Sequence, residues 1–100
     1  MRIDIQSLHF DADKKLLEVI EGKLNKLTKY SDDIIGAEVV LKLEKDSNKD
    51  NKVVETRLII PGNDLFAKRN SDKFEKAIDE VSEALRRQLK KHKEKINAVK

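Results

Sequence analysis

One hundred residues make a single domain with one modest core, and 38% hydrophobic against 41% charged residues is too apolar and too regularly patterned for disorder. The absence of cysteine excludes disulfides, thiolate catalysis and cysteine zinc sites, and leaves the cytoplasm as the default compartment. With 22 Lys and Arg against 19 Asp and Glu the formal net charge is only +3, so attraction to a polyanion has to come from where the charges lie and not from their total.

Met1 to Gln6 has no apolar run of signal-peptide length, and no stretch approaches a membrane span, so the chain reads as soluble and untargeted. Arg2 to Gln6 alternates, with Ile3 and Ile5 on one face, which predicts a strand buried on one side. From Asp13 to about Thr28 the period changes: Leu16, Ile20, Leu24 and Leu27 share a stripe, Asp11 and Asp13 are candidate caps, and Gly22 costs this helix about 1 kcal/mol relative to Ala.

After Ser31-Asp32-Asp33, Ala37 to Lys45 alternates again, with Val39, Leu41 and Leu43 inward. Asp46 to Asn51 reads as a mobile hairpin loop. Lys52 to Ile60 is β-branched and aliphatic and ends at Pro61-Gly62-Asn63-Asp64, where Pro presets one turn dihedral and Gly or Asn accepts positive φ. Leu65 to Arg69 makes a short fourth strand. Ser71 or Asp72 is the candidate cap of a last helix whose apolar face is Phe74, Ile78, Val81, Leu85 and Leu89 and which runs past Lys91.

The order is β-α-β-β-β-α. The first crossover makes strands one and two parallel neighbours, and two helices with one stripe each must cover one face of a four-stranded sheet. The class is α+β, a single domain over residues 1–100 with an ordered core to about residue 95, without repeat or linker.

The last helix is divided in charge. Asp72, Glu75, Asp79, Glu80 and Glu83 occupy its first half, and Arg86, Arg87, Lys90, Lys91, Lys93 and Lys95 its second. Complementing the macrodipole, worth about 0.3–1 kcal/mol per well-placed charge, accounts for two or three of these cations. In the first helix Lys15, Lys23, Lys26 and Lys29 fall along one flank of the apolar stripe. Helices on the same sheet face would join these flanks into one basic patch, a nucleic-acid surface; a merely solvated face is the bland alternative. One Tyr, three Phe and no Trp leave little material for stacking bases, and no helix-turn-helix, zinc-finger or basic-zipper pattern is present, so phosphate contact with RNA is favoured. Tyr30, at the edge of the first helix, could stack on a nucleotide, but a tyrosine there more often closes the core. His9 and His92 have no neighbouring metal or nucleophile pattern, which argues against an enzyme, a metal or a cofactor.

The chain resembles the ribosome hibernation promoting factor family, also called ribosome-associated inhibitor or sigma-modulation proteins. The resemblance is carried by Lys23, Lys26-Leu27, Tyr30 and Val39 to Lys45, then by Ala77-Ile78-Asp79, Leu85, Arg87-Gln88-Leu89, Lys91, Lys93 and Lys95. It spans nearly the whole chain. It implies a fold similar to a double-stranded RNA-binding domain and a target: the small ribosomal subunit, alone or in the whole ribosome. There its members touch rRNA between head and body and block messenger and tRNA during stationary phase or starvation.

Matched residue by residue, Lys23, Lys26, Arg87, Lys91 and Lys93 are the family's basic positions. Lys29, Arg86, Lys90 and Lys95 extend the set by helical geometry. The chain departs from the pattern in having Phe74 four residues before Ile78, where the family commonly has a tyrosine three before the Ile. Lys68-Arg69 stands in a fourth strand usually richer in small residues, and no linker or second domain follows. The free protein is expected to be a monomer that leaves membranes alone. Two rival readings remain open: a duplex-RNA-binding module acting off the ribosome, and a protein-interaction modulator.

Overall fold

A computed structural model describes residues 1–44 and 51–98, with side chains as far as Lys93. The elements are β1 (Arg2–Leu8), α1 (Lys14–Asn25), a 3-10 turn (Lys26–Lys29), β2 (Gly36–Leu43), β3 (Lys52–Ile59), β4 (Leu65–Ser71) and α2 (Phe74–Ala98). The strands lie in the order β1-β2-β3-β4, with β1 and β2 parallel and the other pairs antiparallel. This is the expected α+β arrangement. The Asp46–Asn51 hairpin loop falls almost wholly outside the described residues; the ladder on either side of it closes with Glu44 N–H donating to Asn51 O at 2.9 Å.

Register decides which side chains meet the helices. Side chains alternate across a strand, so the rows Ile3–Ala37–Leu58–Leu65 and Ile5–Val39–Thr56–Ala67 form one face. Against that face pack Leu16, Ile20 and Leu24 of α1, Leu27 of the 3-10 turn, and Ile78, Val81, Leu85 and Leu89 of α2. The opposite face carries Arg2, Asp4, Glu38, Lys42, Glu55 and Arg57, with Lys42 paired to Glu55 and Arg57 4.0 Å from Glu38. The second of these pairs is exposed and contributes little to stability, while Glu55 of the first is mostly covered.

The two helices run side by side in the same direction, because their contacts advance in step: Phe10 stacks on Phe74 at 5.0 Å, Lys23 meets Asp79, and Tyr30 lies under Arg86. The displaced aromatic Phe74 thus joins the two helix starts through a ring pair.

Local chemistry moves several boundaries. Asp13, and not Asp11, caps α1, its Oδ1 accepting from Leu16 N–H at 2.7 Å. The helix tightens into a 3-10 turn after Asn25, where Thr28 Oγ1 donates to Asn25 O at 2.7 Å and competes with the ordinary helical ladder. Neither Ser71 nor Asp72 sits directly before α2. Ser71 Oγ donates to Asp72 Oδ1, holding that carboxyl below its ordinary range, and Lys73 O accepts the first helical bond, from Ala77 N–H at 3.1 Å. The turn after β3 does use its glycine, with Gly62 at φ +85° following Pro61.

Gly36 opens β2 opposite Arg2 of β1, and a Cβ there would lie 2.8 Å from Arg2 O. Gly22 is exposed on α1, and a Cβ there meets nothing within 4 Å. The same substitution should therefore act in opposite directions. In urea unfolding, Gly36→Ala is expected to destabilise by about 1–3 kcal/mol, as main-chain overlap does, and Gly22→Ala to stabilise by about 0.5–1 kcal/mol through helix propensity.

Candidate nucleic-acid interface

Parallel helices bring their C-terminal ends to the same end of the molecule, and with them most of the cations singled out from the sequence; Lys15, in the first turn of α1, stays at the opposite end. Lys26 and Lys29 are exposed on the 3-10 turn, and Lys90, Lys91 and Lys93 on α2. No ion pair among the described residues engages any of these five. Lys95 lies further along α2, where only the backbone is described. By helical spacing, Arg86 and Lys93 fall on the flank facing α1, Lys91 toward the flank facing β4, and Arg87 and Lys90 about the crest between them.

Three predicted cations are already occupied. Lys23 Nζ lies 2.8 Å from Asp79 Oδ1, with only about a third of its side chain exposed (35%), so it bridges α1 and α2 as well as bordering the patch. Ser82 Oγ, donating to Lys23 O at 3.4 Å, fixes the same junction. Arg86 is held by Glu83 through two donors, Nε to Oε2 at 3.1 Å and Nη2 to Oε1. Arg87 Nε stands 3.7 Å from the same Oε1.

Glu83 therefore sits between two arginines at the edge of the basic end. The Arg86 hydrogen bond holds its carboxyl below the ordinary range, and Glu83 in turn raises the Arg86 guanidinium. A carboxyl more acidic in the folded state contributes stability above its unfolded value and loses that contribution as pH falls through its folded one. At neutral pH the clamp is complete. It lays Arg86 over the Tyr30 ring, 5.9 Å from the centroid, in cation–π range. Tyr30 is 37% exposed, so it does not close the core as its position suggested.

Arg69 of β4 was not among the cations singled out from the sequence. Strand alternation puts it on the helix side with Leu65 and Ala67, and it lines a surface depression with Arg87, Asp79, Glu80, Glu83 and Ala84. The signal was available in that alternation, but a basic residue on the inward face of an edge strand reads as a defect of the pattern until a helix flank is placed beside it. Among the described residues no group of three or more His, Asp or Glu is placed to hold a metal ion, and no helix is long and apolar enough to cross a membrane.

A four-stranded sheet under two parallel helices, with cations gathered at the helix ends, defines a class of small α+β domains. The chain belongs to the Sigma 54 modulation protein / S30EA ribosomal protein family, whose model matches residues 3–97. It is 35% identical to the ribosome hibernation promoting factor of Pseudomonas putida over 95 residues, covering 95% of this chain and 89% of that protein. It is 31% identical to the ribosome hibernation promoting factor of Escherichia coli over 96 residues, covering 96% and 97%. Among solved structures, a ribosomal subunit interface protein from Coxiella burnetii superposes with a TM-score of 0.82 at 28% identity, covering 93% of this chain and 98% of that one.

Because Glu83 competes with any incoming phosphate for Arg86 and Arg87, its removal should strengthen anion binding. Glu83→Gln is expected to tighten binding to a generic RNA duplex by about 3–10-fold and to steepen the log-log salt dependence by about one to two units, as one or two freed cations would. Titrations at several salt concentrations read both quantities. An unchanged affinity and slope would show that Glu83 takes no part.

Proposed function

We propose that this protein is a ribosome hibernation factor. In this reading it binds the small subunit at the decoding region between head and body, contacts rRNA there, and excludes messenger and tRNA in stationary phase or starvation. It acts by occupancy, without cofactor or covalent step, as a monomer of one domain in the cytoplasm where ribosomes are. The names of its relatives support ribosome association. The observation that carries the surface assignment is the set of five lysines, Lys26, Lys29, Lys90, Lys91 and Lys93, exposed at one end of the helix layer and unpaired among the described residues.

Phosphates would satisfy these lysines at the smallest internal cost, since no pair has to break. Arg87, loosely held by Glu83 and with a side chain 71% exposed, would join them. Lys23 and Arg86 would act mainly by shaping the surface, the first by locking α1 to α2 and the second by covering Tyr30. Five phosphate contacts imply a log-log salt slope of about −4, so binding should be strong in dilute buffer and weak in concentrated salt.

Gradient sedimentation with small subunits tests the reading. The wild-type chain should travel with subunits and compete with initiator tRNA. Arg87→Glu combined with Lys91→Glu should remain at the top of the gradient while unfolding within about 0.5 kcal/mol of wild type, as surface substitutions usually do. A wild-type protein that stays at the top at low salt, or a double variant that still inhibits translation, would remove the basic end from the mechanism. A generic duplex that competes as well as assembled subunits would favour the module acting off the ribosome.

A further inference from the structure

A second cationic group, outside the helix ends, lies along β4. Strand alternation carries Phe66 and Lys68 onto the open face of the sheet and Arg69 onto the helix side. Phe66 is 50% exposed. Its cross-strand neighbour on the open face is Arg57, and two residues along its own strand stands Lys68, so the ring has a cation on two sides. Around the edge of β4, Arg69 lies beside Arg87 in one depression. The backbone under the ring is fixed from the helix layer, because Gln88 Nε2 donates to Phe66 O at 2.8 Å.

The bland explanation is that charges on an edge strand discourage pairing with another sheet. It accounts for Lys68. It does not account for a half-exposed phenyl ring between two cations, since an exposed aromatic on an edge strand invites the association that such charges prevent. Nor does it account for Arg69, whose guanidinium meets no carboxylate among the described residues and donates instead to the neighbouring Lys68 O at 2.7 Å. Arg57 is only loosely paired, 4.0 Å from Glu38. Carboxylates are close by: Asp79, Glu80 and Glu83 line the α2 side of the depression, and on the open face Glu55 lies opposite Lys68, Glu38 beside Arg57, and Asp64 in the depression that Arg57 and Phe66 line, so the positive strip is the narrow line of Arg57, Lys68 and Arg69 around the ring.

We propose that β4 is a second RNA contact, which takes an unpaired stretch of RNA. One base stacks on Phe66, and the flanking phosphates meet Lys68 and Arg57 on the open face and Arg69 at the edge. Positive charge along a backbone track with an aromatic ring on it is the chemistry that holds single strands without sequence preference. A duplex would be a poor fit, because its paired and stacked bases are not free to reach a ring on the face of a sheet. The proposal rests on RNA being the partner of the basic end, but it needs no ribosome for its test.

Phe66→Trp puts the chain's only tryptophan into the strip. Titration with oligouridylate at low salt should quench its fluorescence. Lys68→Glu with Arg69→Glu in that background should weaken the binding at least about tenfold and flatten the log-log salt slope by about 1.4 units, two single-strand phosphate contacts. Lys26→Glu with Lys29→Glu should leave oligouridylate quenching unchanged while reducing sedimentation with small subunits, so failure of the ribosomal reading and failure of this one are separable. Absence of quenching by oligouridylate would overturn the proposal. Quenching that survives Lys68→Glu with Arg69→Glu would place the bound strand elsewhere and overturn it too. Shielding of the tryptophan on small subunits without quenching by oligouridylate would assign the strip to a protein neighbour and overturn it equally.

Discussion

The burial of one uninterrupted apolar stripe on α2 is the constraint on which the rest of the molecule depends. Ile78, Val81, Leu85 and Leu89 continue the same face from the acidic half of the helix into the basic half. Burying all four lays the helix along the sheet, since a helix crossing at a steep angle would leave one end of the stripe in water. Each such side chain contributes roughly 1.5–3 kcal/mol when fully buried. The charge division of the sequence thereby becomes a division of the molecule, with acids at one end and cations at the other. α1 obeys the same rule through Leu16, Ile20, Leu24 and Leu27. Its parallel course beside α2 puts Lys26 and Lys29 at the end where Lys90, Lys91 and Lys93 already stand.

Aligned helices also add their dipoles, and the negative ends of both fall where the cations are. That placement is favourable for folding and leaves the lysines exposed, so the basic end is not a feature the fold has to hold against its own electrostatics. The arginines are treated differently. Arg86 is planar, paired through two donors to Glu83 and laid over Tyr30, whereas Lys26, Lys29, Lys90, Lys91 and Lys93 are exposed and have no ion-pair partner among the described residues. A guanidinium suits a fixed geometry and an ammonium suits a searching one. The surface is thus built with a rigid centre and an adaptable margin.

Most of the fold was legible in the sequence because its signals are local or nearly so. Period-two runs located four strands, period-3.6 runs located two helices, and a parallel neighbour for β1 followed from the crossover. The 3-10 turn was not legible, because Leu27 remains buried whether the winding is 3.6 or 3.0, and the tightening comes from the Thr28 hydroxyl bonding the Asn25 carbonyl. The cap of α2 was misplaced for a similar reason: the Asp72 carboxylate that looked ready to cap is taken by Ser71. In the candidate site, the cations were visible as residues and their condition was not. Lys23 and Asp79 are far apart in sequence, and only the relative rotation of the two helices shows that they pair.

The occupied and free cations together bear on how such a surface would work. Breaking the Lys23–Asp79 bridge to bind a phosphate would expose a carboxylate beside the new anion, and breaking Glu83 from Arg86 would do the same. Both carboxylates therefore limit how far the basic end can extend toward the acidic half of α2. They work as a boundary as much as a support. A polyanion meeting the molecule is attracted at one end and repelled at the other, which orients it along the helix axis before any contact is made. For a protein that would work, as proposed, by filling a space, orientation is the step that converts charge into specificity. The apolar stripe supplies it by holding those charges in one direction.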